Sequence, residues 1–593
     1  MQKCFTDRCL AIAVAALIAP LSAHAVTPPP PSVPITKGIA EPICGNSDAT
    51  GWRNKQVVDG VEIQESNQCN PDDPEIVAAV VKGTNNVSMS TLMDINLAPD
   101  AVIKTDDVDG DGDPDHIVIK LEVVELNGHS PDFPGVVPTF DIAPGIEPGM
   151  WVFAPKTVGM ATTSFASVMA NPLLRLPSPV IRVEQGDTVE IVLHNTHYFP
   201  HTIHLHGVDH PYLDQEGNGN DGVEHTGENV LMPGDIRTYE IKPRQTGTMF
   251  YHCHVLTHAH LAMGLAGMFI VEENRPNNWV QTLNIGAGEV RHPSVAVKEK
   301  YDQEYDLHYH AIDKELHSII QKYNDVRLIA RDMNQLYDIT DSTEDYFVLN
   351  GRSFPYTLRE SLIVVEPDQK IKLRMLNSGG EIGAIHTHGH KATITHYDGI
   401  EVSPVAQITR DVYEMTPAQR IDLELNTTND GLHNYGPGIW VFHDHREKGI
   451  TNDGIGLGGN VSMIVYKSFL GDDKVPKVQG MPLEMFFSSK FYEGKVPVWG
   501  GMDKVDTFGS VLPDQQSRQE ALKAQLDTAK AAYREAKAQM VANADTGGGS
   551  SFGNFIKGLV LGMLIYMLYQ QRQRVLALTR QTLGLIGNSK EVK

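Results

Sequence analysis

Cysteine and basic side chains are scarce in this chain. Its 593 residues include five cysteines, and 49 lysines and arginines stand against 74 acidic residues. The formal net charge of -25 argues against nucleic acid and anionic lipid surfaces as partners, because both are themselves negatively charged. A chain of this length can form two or three domains with cores of their own.

The first 25 residues have the pattern of a secretory signal peptide. Two basic residues precede an apolar stretch, and a small-residue cleavage site ends at Ala25. We therefore expect export to the bacterial periplasm or another extracytoplasmic face. Cleavage leaves Cys44, Cys69 and Cys253. An oxidising compartment then favours a Cys44–Cys69 disulfide and leaves the Cys253 thiol free, where a metal would protect it.

The middle of the chain contains an internal β-rich repeat. From about residue 116, short β-prone runs are broken by Gly, Pro and Asn, which is typical of antiparallel sandwiches. Residues 181–195 align without a gap on 363–377, and the same offset carries His204-Leu-His206-Gly207 onto His386-Thr-His388-Gly389. We predict an all-β chain with two homologous domains, 116–275 and 298–470, joined by a linker at 276–297.

The flanking segments are predicted separately. Residues 26–115 form an N-terminal extension and 471–512 a tail. Residues 513–546 have a coiled-coil seam typical of a helical stalk, although an amphipathic helix lying on the domains would give the same pattern. Residues 552–570 are predicted to form a single transmembrane anchor, with an interfacial helix as the alternative, and 571–593 would then be cytoplasmic.

An acidic segment lies at the end of the extension. Its carboxylates occupy every second position, at Asp107, Asp109, Asp111, Asp113 and Asp115. This spacing matches the first half of a calcium-binding loop, but Val118 stands where the bidentate Glu of an EF-hand would be. A calcium site completed by ligands from elsewhere and a simple acidic turn both remain open.

Residues 248–263 contain the sequence His252-Cys253-His254, and Met263 follows ten residues after the cysteine. On a strand, successive side chains point to opposite faces, so the two histidines face one way and Cys253 the other. Cysteine, histidine and methionine together are the ligand set of a blue copper site. One short stretch could therefore serve two metal centres.

Histidines form four His-x-His pairs, two in each predicted domain. The pairs are His204/His206, His252/His254, His386/His388 and His443/His445. On strands, both imidazoles of a pair lie on one face, and neutral imidazole is the commonest transition-metal ligand. Eight such ligands fit a cluster of several copper ions better than one zinc, which needs only four.

With these motifs, residues 116–470 resemble the multicopper oxidases, and among them the two-domain, laccase-like subclass with type 1 copper in the first domain. The resemblance implies two cupredoxin-like Greek-key β-sandwiches. It also implies four copper ions per functional site: a type 1 copper that accepts electrons and a trinuclear cluster that reduces dioxygen to water.

The resemblance assigns ligands position by position. It implies that the type 1 copper is held by His201, Cys253, His258 and Met263, the type 2 copper by His204 and His386, and the type 3 pair by His206, His252, His254, His388, His443 and His445. Asp209 stands where similar proteins have an acidic residue that serves the oxygen chemistry. His260 and His390 are expected to be neighbours of the ligands.

The second domain departs from the type 1 pattern. Gly383, Asp444, Gly449 and Gly454 stand where the histidine, cysteine, histidine and methionine ligands would be. The resemblance therefore implies that this domain serves only the cluster. The sequence leaves the role of Asp444 open among a structural replacement, a group near the cluster and a proton relay.

The expected partners follow from the same resemblance. They are dioxygen, a phenol or metal-ion reductant, and two further copies of the chain in a homotrimer with clusters between subunits. A copper nitrite reductase is one alternative, although its catalytic copper needs only three histidines. A membrane-anchored copper-handling or electron-transfer protein without turnover is another, for which one type 1 site would suffice. The sequence has no methionine-rich insertion of the kind that would favour a cuprous substrate.

Overall fold

The structure, a computed structural model, describes residues 98–494 with short gaps, together with three short strands before residue 98 and a few helical residues between 523 and 535. The gaps are residues 99, 131–132, 158–173, 277, 279, 291–297, 473 and 479–482. The predicted signal peptide, the Cys44–Cys69 disulfide, the anchor at 552–570 and most of the stalk lie outside the described residues. Among those that are described, no helix is long and apolar enough to cross a membrane.

Two β-sandwiches make up most of the described chain. The strands up to the linker are β1 Gln56–Val58, β2 Val61–Ile63, β3 Val81–Lys82, β4 Val102–Thr105, β5 His116–Leu126, β6 His129–Ser130, β7 Phe133–Val136, β8 Met150–Pro155, β9 Val180–Glu184, β10 Thr188–His194, β11 His204–His206, β12 Ile236–Ile241, β13 Gly247–His252, β14 Ala266–Glu272 and β15 Leu283–Asn284. The later strands are β16 Gly288–Glu289, β17 Gln303–Ile312, β18 Tyr346–Leu349, β19 Ile363–Val365, β20 Lys370–Asn377, β21 Gly383–Thr387, β22 Ala392–Tyr397, β23 Ile400–Glu401, β24 Ile408–Arg410, β25 Val412–Met415, β26 Arg420–Asn426, β27 Ile439–Asp444 and β28 Val461–Tyr466.

The helices of the described residues are short, and most of them lie between strands. The α-helices are α1 Thr257–His260, α2 Lys314–Lys322, α3 Val326–Arg331, α4 Thr357–Glu360 and α5 Ser489–Tyr492. A π-helix spans Asp332–Leu336, and 3₁₀ turns span Ile339–Asp341, Pro404–Ala406, Glu447–Ile450, Lys467–Phe469 and Leu483–Phe487. Helix α2 begins where the Asp313 carboxylate accepts a hydrogen bond from the Glu315 N–H at 2.8 Å. Its Leu316, Ile319 and Ile320 pack against the first core.

The first sandwich places a five-stranded sheet against a six-stranded one. The strand orders are β12-β10-β5-β4, with β8 also paired to β5, and β11-β13-β14-β9-β15-β3. Strand β10 alternates between buried and more exposed residues, so one of its faces lies in the core. Strand β4 precedes the predicted domain start at residue 116 but pairs with β5, so the first sandwich begins before that residue.

The second sandwich repeats this plan. Its larger sheet has the order β16-β17-β20-β26-β22-β23, with β18 paired to β17 and β24 to β22, and its smaller sheet has the order β19-β28-β27-β21-β25. A separate core of buried aliphatic and aromatic side chains fills it. The structure thus confirms the mostly β architecture predicted from the repeat. Within the predicted linker, β15 pairs with the first sandwich and β16 with the second.

Strand β13 is buried on both faces, which positions the candidate site. Met249 and Tyr251, like Cys253 just beyond the strand, face the core of the first sandwich. On the opposite face, Phe250 packs in a cluster that includes a leucine of the second domain. The Thr248 hydroxyl donates a 2.6 Å hydrogen bond to Asp422, also in the second domain. The two-residue period of a strand thus separates the thiol from the domain interface.

Two buried arginines connect the domains. Arg182 of the first domain donates from Nε to Glu272 at 2.9 Å and from its Nη atoms to Glu304 and Asp306 of the second domain at 2.8 to 3.1 Å. Arg374 of the second domain returns the contact, because its Nη2 lies 3.3 Å from Glu272. Buried charges require such pairing to offset their lost hydration, so the network fixes the relative position of the sandwiches.

Candidate metal centres

The Cys253 thiol lies between two imidazoles. Its Sγ is 3.5 Å from Nδ1 of His201 and 3.5 Å from Nδ1 of His260, and the side chains of all three residues are buried. These three potential ligand atoms lie within 4.8 Å of one another. One thiolate with two Nδ1 donors is the ligand set of a trigonal blue copper site, so the donor chemistry fits copper.

The structure changes one predicted ligand, because His260 rather than His258 faces the sulfur. Both residues belong to helix α1, where positions two apart point in nearly opposite directions. His258 is exposed, whereas His260 is 2% exposed. Met263, another predicted ligand, is buried in the same core as Cys253. The Met263 N–H donates a 2.8 Å hydrogen bond to the Ala259 carbonyl, so Met263 lies one helical turn beyond Ala259.

A layer of side chains around the thiol site holds the imidazoles in place. Nδ1 of His197 lies 2.9 Å from Nε2 of His201, which orients the other nitrogen of His201 towards the sulfur. The indole of Trp151 packs edge-on against His197 at 4.8 Å and against His260 at 5.2 Å between ring centroids. Nothing in the local sequence pattern around His197 indicates this contact.

Burial keeps the thiol site uncharged in the absence of a cation. It raises the pKa of the Cys253 thiol to about 12 and lowers the pKa of His260 to about 3, and it lowers the pKa of His201 well below its usual range. The imidazoles are therefore neutral, as metal ligands must be. A bound cation would compensate the thiolate charge and so reverse the cost of ionising Cys253.

The first histidine quartet lies on the other side of Cys253, where β11 pairs with β13 and His204 stands opposite His252. Ring centroids are 5.1 Å apart for His204 and His206 and 5.7 Å apart for His252 and His254. The Nε2 atoms of His206 and His252 are 3.0 Å apart. Burial lowers the pKa of His206 to about 4 and that of His252 to about 3. The structure thus brings these four predicted ligands together.

The second quartet repeats this geometry on β21 and β27, where His386 stands opposite His443. Ring centroids are 4.7 Å apart for His386 and His388 and 5.6 Å apart for His443 and His445. The Nε2 atoms of His388 and His443 are 3.2 Å apart. All four of these predicted ligands therefore also lie together.

Backbone carbonyls fix the imidazoles in both quartets. Nδ1 donates to the Asp221 carbonyl from His204, to the Asp411 carbonyl from His386, to the Cys253 carbonyl from His252 and to the Asp444 carbonyl from His443, at 2.7 to 2.9 Å. A carbonyl oxygen can only accept, so in each case the proton is on Nδ1 and the Nε2 lone pair is free for a metal. The residues of the quartets therefore fit copper as ligands.

The two quartets do not meet within one chain. In the part of the chain that the structure describes, no ring contact joins a histidine of one quartet to a histidine of the other. In the second quartet His388 and His445 are exposed. A single chain thus presents two separate half-sites.

Sequence comparisons agree with this geometry. Two family models, each described as multicopper oxidase, match residues 166–276 and residues 329–453, the regions that carry the two quartets. The chain belongs to the multicopper oxidase family. The matched regions include every histidine of both quartets and the whole thiol site. The mostly β sandwiches are consistent with the cupredoxin-like fold of this family.

Individual multicopper oxidases are similar at lower identity. Copper resistance protein A of Escherichia coli is 25% identical over 263 residues, which are 42% of this chain and 41% of that protein. Iron transport multicopper oxidase FET3 of Saccharomyces cerevisiae is 25% identical over 274 residues, 44% of this chain and 35% of that protein. The chain thus spans about two fifths of the length of these relatives. The blue copper oxidase structure from Nitrosomonas europaea is 26% identical, covers 65% of this chain and 95% of its own, and has a TM-score of 0.43.

Asp209 does not contact the first quartet of this multicopper oxidase. Its carboxylate is paired at 3.0 Å with Arg244, and both side chains are partly exposed. Asp221 lies closer, 3.5 Å from Nδ1 of His204. Glu224 lies 3.7 Å from Nδ1 of His254. These two acidic residues were missed because they belong to an irregular loop that gives no periodic signal.

Asp444 takes the place of the type 1 cysteine in the second sandwich. Its buried carboxylate accepts hydrogen bonds from Nε of Arg446 at 3.0 Å and from Nη2 at 2.6 Å. Gly449, at the position corresponding to His258, leaves room for it, since a Cβ there would lie 2.6 Å from Oδ2 of Asp444. Of the roles left open by the sequence, the structure supports the structural one, because the buried Asp444 carboxylate pairs with the partly buried Arg446.

Proposed function

We propose that the protein is an oxygen-reducing multicopper oxidase that oxidises a donor one electron at a time. The observation that carries this proposal is the position of Cys253. Its sulfur lies between Nδ1 of His201 and of His260, while its two chain neighbours, His252 and His254, belong to the first quartet. When bound, a type 1 copper would accept single electrons and three further coppers would supply the four-electron reduction of dioxygen to water.

The residues of the chain would divide this work. His201, Cys253 and His260 would hold the type 1 copper, with Met263 as a further candidate ligand. Cys253 would also be the shortest covalent connection to the quartet, because its backbone continues directly into His252 and His254. His258, on the exposed side of helix α1, would lie where a donor approaches.

We further propose that the oxygen site forms between subunits of a homotrimer. The support is the separation of the quartets and the exposure of His388 and His445 within one chain. Subunit mixing tests this. His206→Ala disables the first quartet and His388→Ala the second. If clusters form between chains, mixed assemblies of the two inactive variants will regain part of the oxygen uptake; if clusters form within one chain, mixing will restore nothing.

The donor is proposed to be a phenol or a reduced metal ion. The acidic composition and the relatives named for copper resistance and iron transport favour a metal cation. We also propose that the protein is exported to the periplasm and is anchored in the membrane through residues 552–570.

Copper content, visible spectra and oxygen uptake together test the function. The full chain should bind four coppers per functional site and consume oxygen with at least one donor among phenols, Fe(II), Cu(I) and Mn(II). Cys253→Ser should remove the blue colour and donor oxidation while sparing the other coppers. Full copper without oxygen uptake would overturn the proposal, and nitrite consumption would favour the reductase instead.

A further inference from the structure

The acidic loop between β4 and β5 winds around its own first carboxylate. Oδ1 of Asp107 accepts hydrogen bonds from the N–H groups of Gly110 at 2.8 Å and of Asp111 at 3.0 Å, and its Oδ2 accepts from Gly112 at 3.2 Å. Gly110 and Gly112 have φ values of 76° and 102°, which favour glycine. The winding brings carboxylate oxygens of Asp107, Asp109 and Asp111 within 4.8 Å of one another.

A second pair of carboxylates lies in the turn between β9 and β10, at Glu184 and Asp187. Each is 2% exposed. One oxygen of each carboxylate accepts a hydrogen bond. Oε1 of Glu184 accepts from the Asn278 side chain, and Oδ2 of Asp187 accepts from the Glu184 N–H at 2.8 Å. Oε2 of Glu184 and Oδ1 of Asp187 are buried without any hydrogen-bond partner. A buried carboxylate oxygen left in this state is costly unless a cation binds it.

The loop and the turn face each other. Asn278 bridges them, since its backbone N–H donates to Oδ2 of Asp113 at 2.7 Å while its side-chain amide donates to Glu184. The Thr188 N–H, just after the turn, donates to the Asp115 carbonyl at 2.7 Å. The two unsatisfied oxygens therefore lie on side chains that adjoin the acidic loop.

Negative charge is concentrated here beyond what nearby cations offset. Five carboxylates are less than a tenth exposed, those of Asp111, Asp113, Asp115, Glu184 and Asp187. Among the described residues, Lys104 acts with opposite charge on Asp187, and Arg275 acts with opposite charge on Glu184. Such a group is stable at neutral pH when a cation neutralises it.

We propose that the acidic loop 107–115 and the Glu184–Asp187 turn together form a calcium-binding site. Many carboxylate oxygens suit calcium, which takes six to eight oxygen ligands in a variable geometry, whereas magnesium requires a strict octahedron at shorter distances and usually keeps several waters. The turn supplies the outside ligands that the loop lacks because Val118 replaces the final Glu of an EF-hand. Through Asn278 the ion would fasten the start of the interdomain linker to both sheets of the first sandwich.

Calorimetric titration of the full-length, copper-loaded protein with calcium chloride alone tests the site. We expect saturable binding and a rise in Tm, with copper content unchanged. Glu184→Gln and Asp187→Asn should each weaken calcium binding by at least about tenfold, because ligand charge sets affinity. Glu216→Gln, on an exposed loop, is the matched control and should bind as the unaltered protein does.

Three results would overturn the proposal: no calcium binding by the unaltered protein at millimolar concentration, magnesium binding as tight as calcium binding, or unchanged affinity in both turn variants. If a variant fails to fold, the calcium and magnesium titrations of the unaltered protein still decide whether the site exists. Copper content and oxygen uptake report on the oxidase separately.

Discussion

His258 and His260 are two residues apart on one short helix, and the structure gives them opposite surroundings. Nδ1 of His260 lies 3.5 Å from the Cys253 sulfur, whereas His258 is exposed. We predict that His260→Ala loses the type 1 copper, so that copper falls from four to three per functional site and the blue colour disappears. His258→Ala should keep all four coppers and the colour.

The magnitudes separate the two variants clearly. Removing a group that only orients a ligand costs about 10–100-fold in metal affinity, so removing the ligand itself should cost more than about 100-fold. In the copper-free protein, His260→Ala also removes a buried ring packed on Trp151, which should lower the free energy of unfolding by about 1–3 kcal/mol. His258→Ala should change it by no more than about 0.5 kcal/mol.

Copper analysis, visible absorption and urea unfolding measure the copper content, the blue colour and the free energy of unfolding of both variants. Oxygen uptake then shows whether His258 affects the donor without holding the metal, in which case KM rises while the spectrum is unchanged. A blue, four-copper His260→Ala protein beside a colourless His258→Ala protein would refute the assignment.

Three further predictions concern stability. Gly449→Ala places a Cβ about 2.6 Å from the fixed Asp444 carboxylate and should destabilise the fold by about 1–3 kcal/mol, measured by the urea midpoint. Arg182→Met removes a cation that three buried carboxylates share and leaves Asp306 without a charged partner, so it should cost about 3–5 kcal/mol in the same assay. Arg327→Met, in an exposed ion pair, should leave the midpoint unchanged. Burial beside His310 lowers the pKa of His308 from 6.5 to about 3, so its contribution is complete above pH 6.5 and is lost on acidification. His308→Gln should therefore reduce the fall in unfolding free energy between neutral pH and about pH 5 by about 2 kcal/mol; an equal fall in both proteins would contradict this.

Sequence patterns predicted the parts of the fold that depend on local period. The repeat and the broken β runs gave two sandwiches, and the alternation around Cys253 gave its two faces. The pattern could not show that the second face of β13 is covered by the other domain, because Thr248 and Phe250 meet residues distant in sequence. Nor could it show the pairing of β4 with β5, which extends the first sandwich before residue 116.

The same distinction explains which site residues were found. The His-x-His pairs lie on or directly after strands, where spacing alone fixes which imidazoles share a face. His260 was misassigned because helix α1 is only four residues long and shows no clear helical period. His197, Asp221 and Glu224 lie in irregular segments, so only the folded backbone brings them to the ligands.

The second sandwich shows whether a quartet depends on the residue that separates the two histidines of its second His-x-His pair. In the first sandwich Nδ1 of His252 donates to the carbonyl of Cys253 at 2.9 Å, and in the second Nδ1 of His443 donates to the carbonyl of Asp444 at 2.8 Å. The imidazole orientation is the same in both sandwiches, although the residue is Cys253 in one and Asp444, paired with Arg446, in the other. The reason is that the acceptor is the main-chain carbonyl of that residue and not its side chain. The strand therefore holds the quartet without help from the thiol site. For this reason Cys253→Ser should leave the quartet's copper bound, and loss of all copper in that variant would contradict the independence of the two centres.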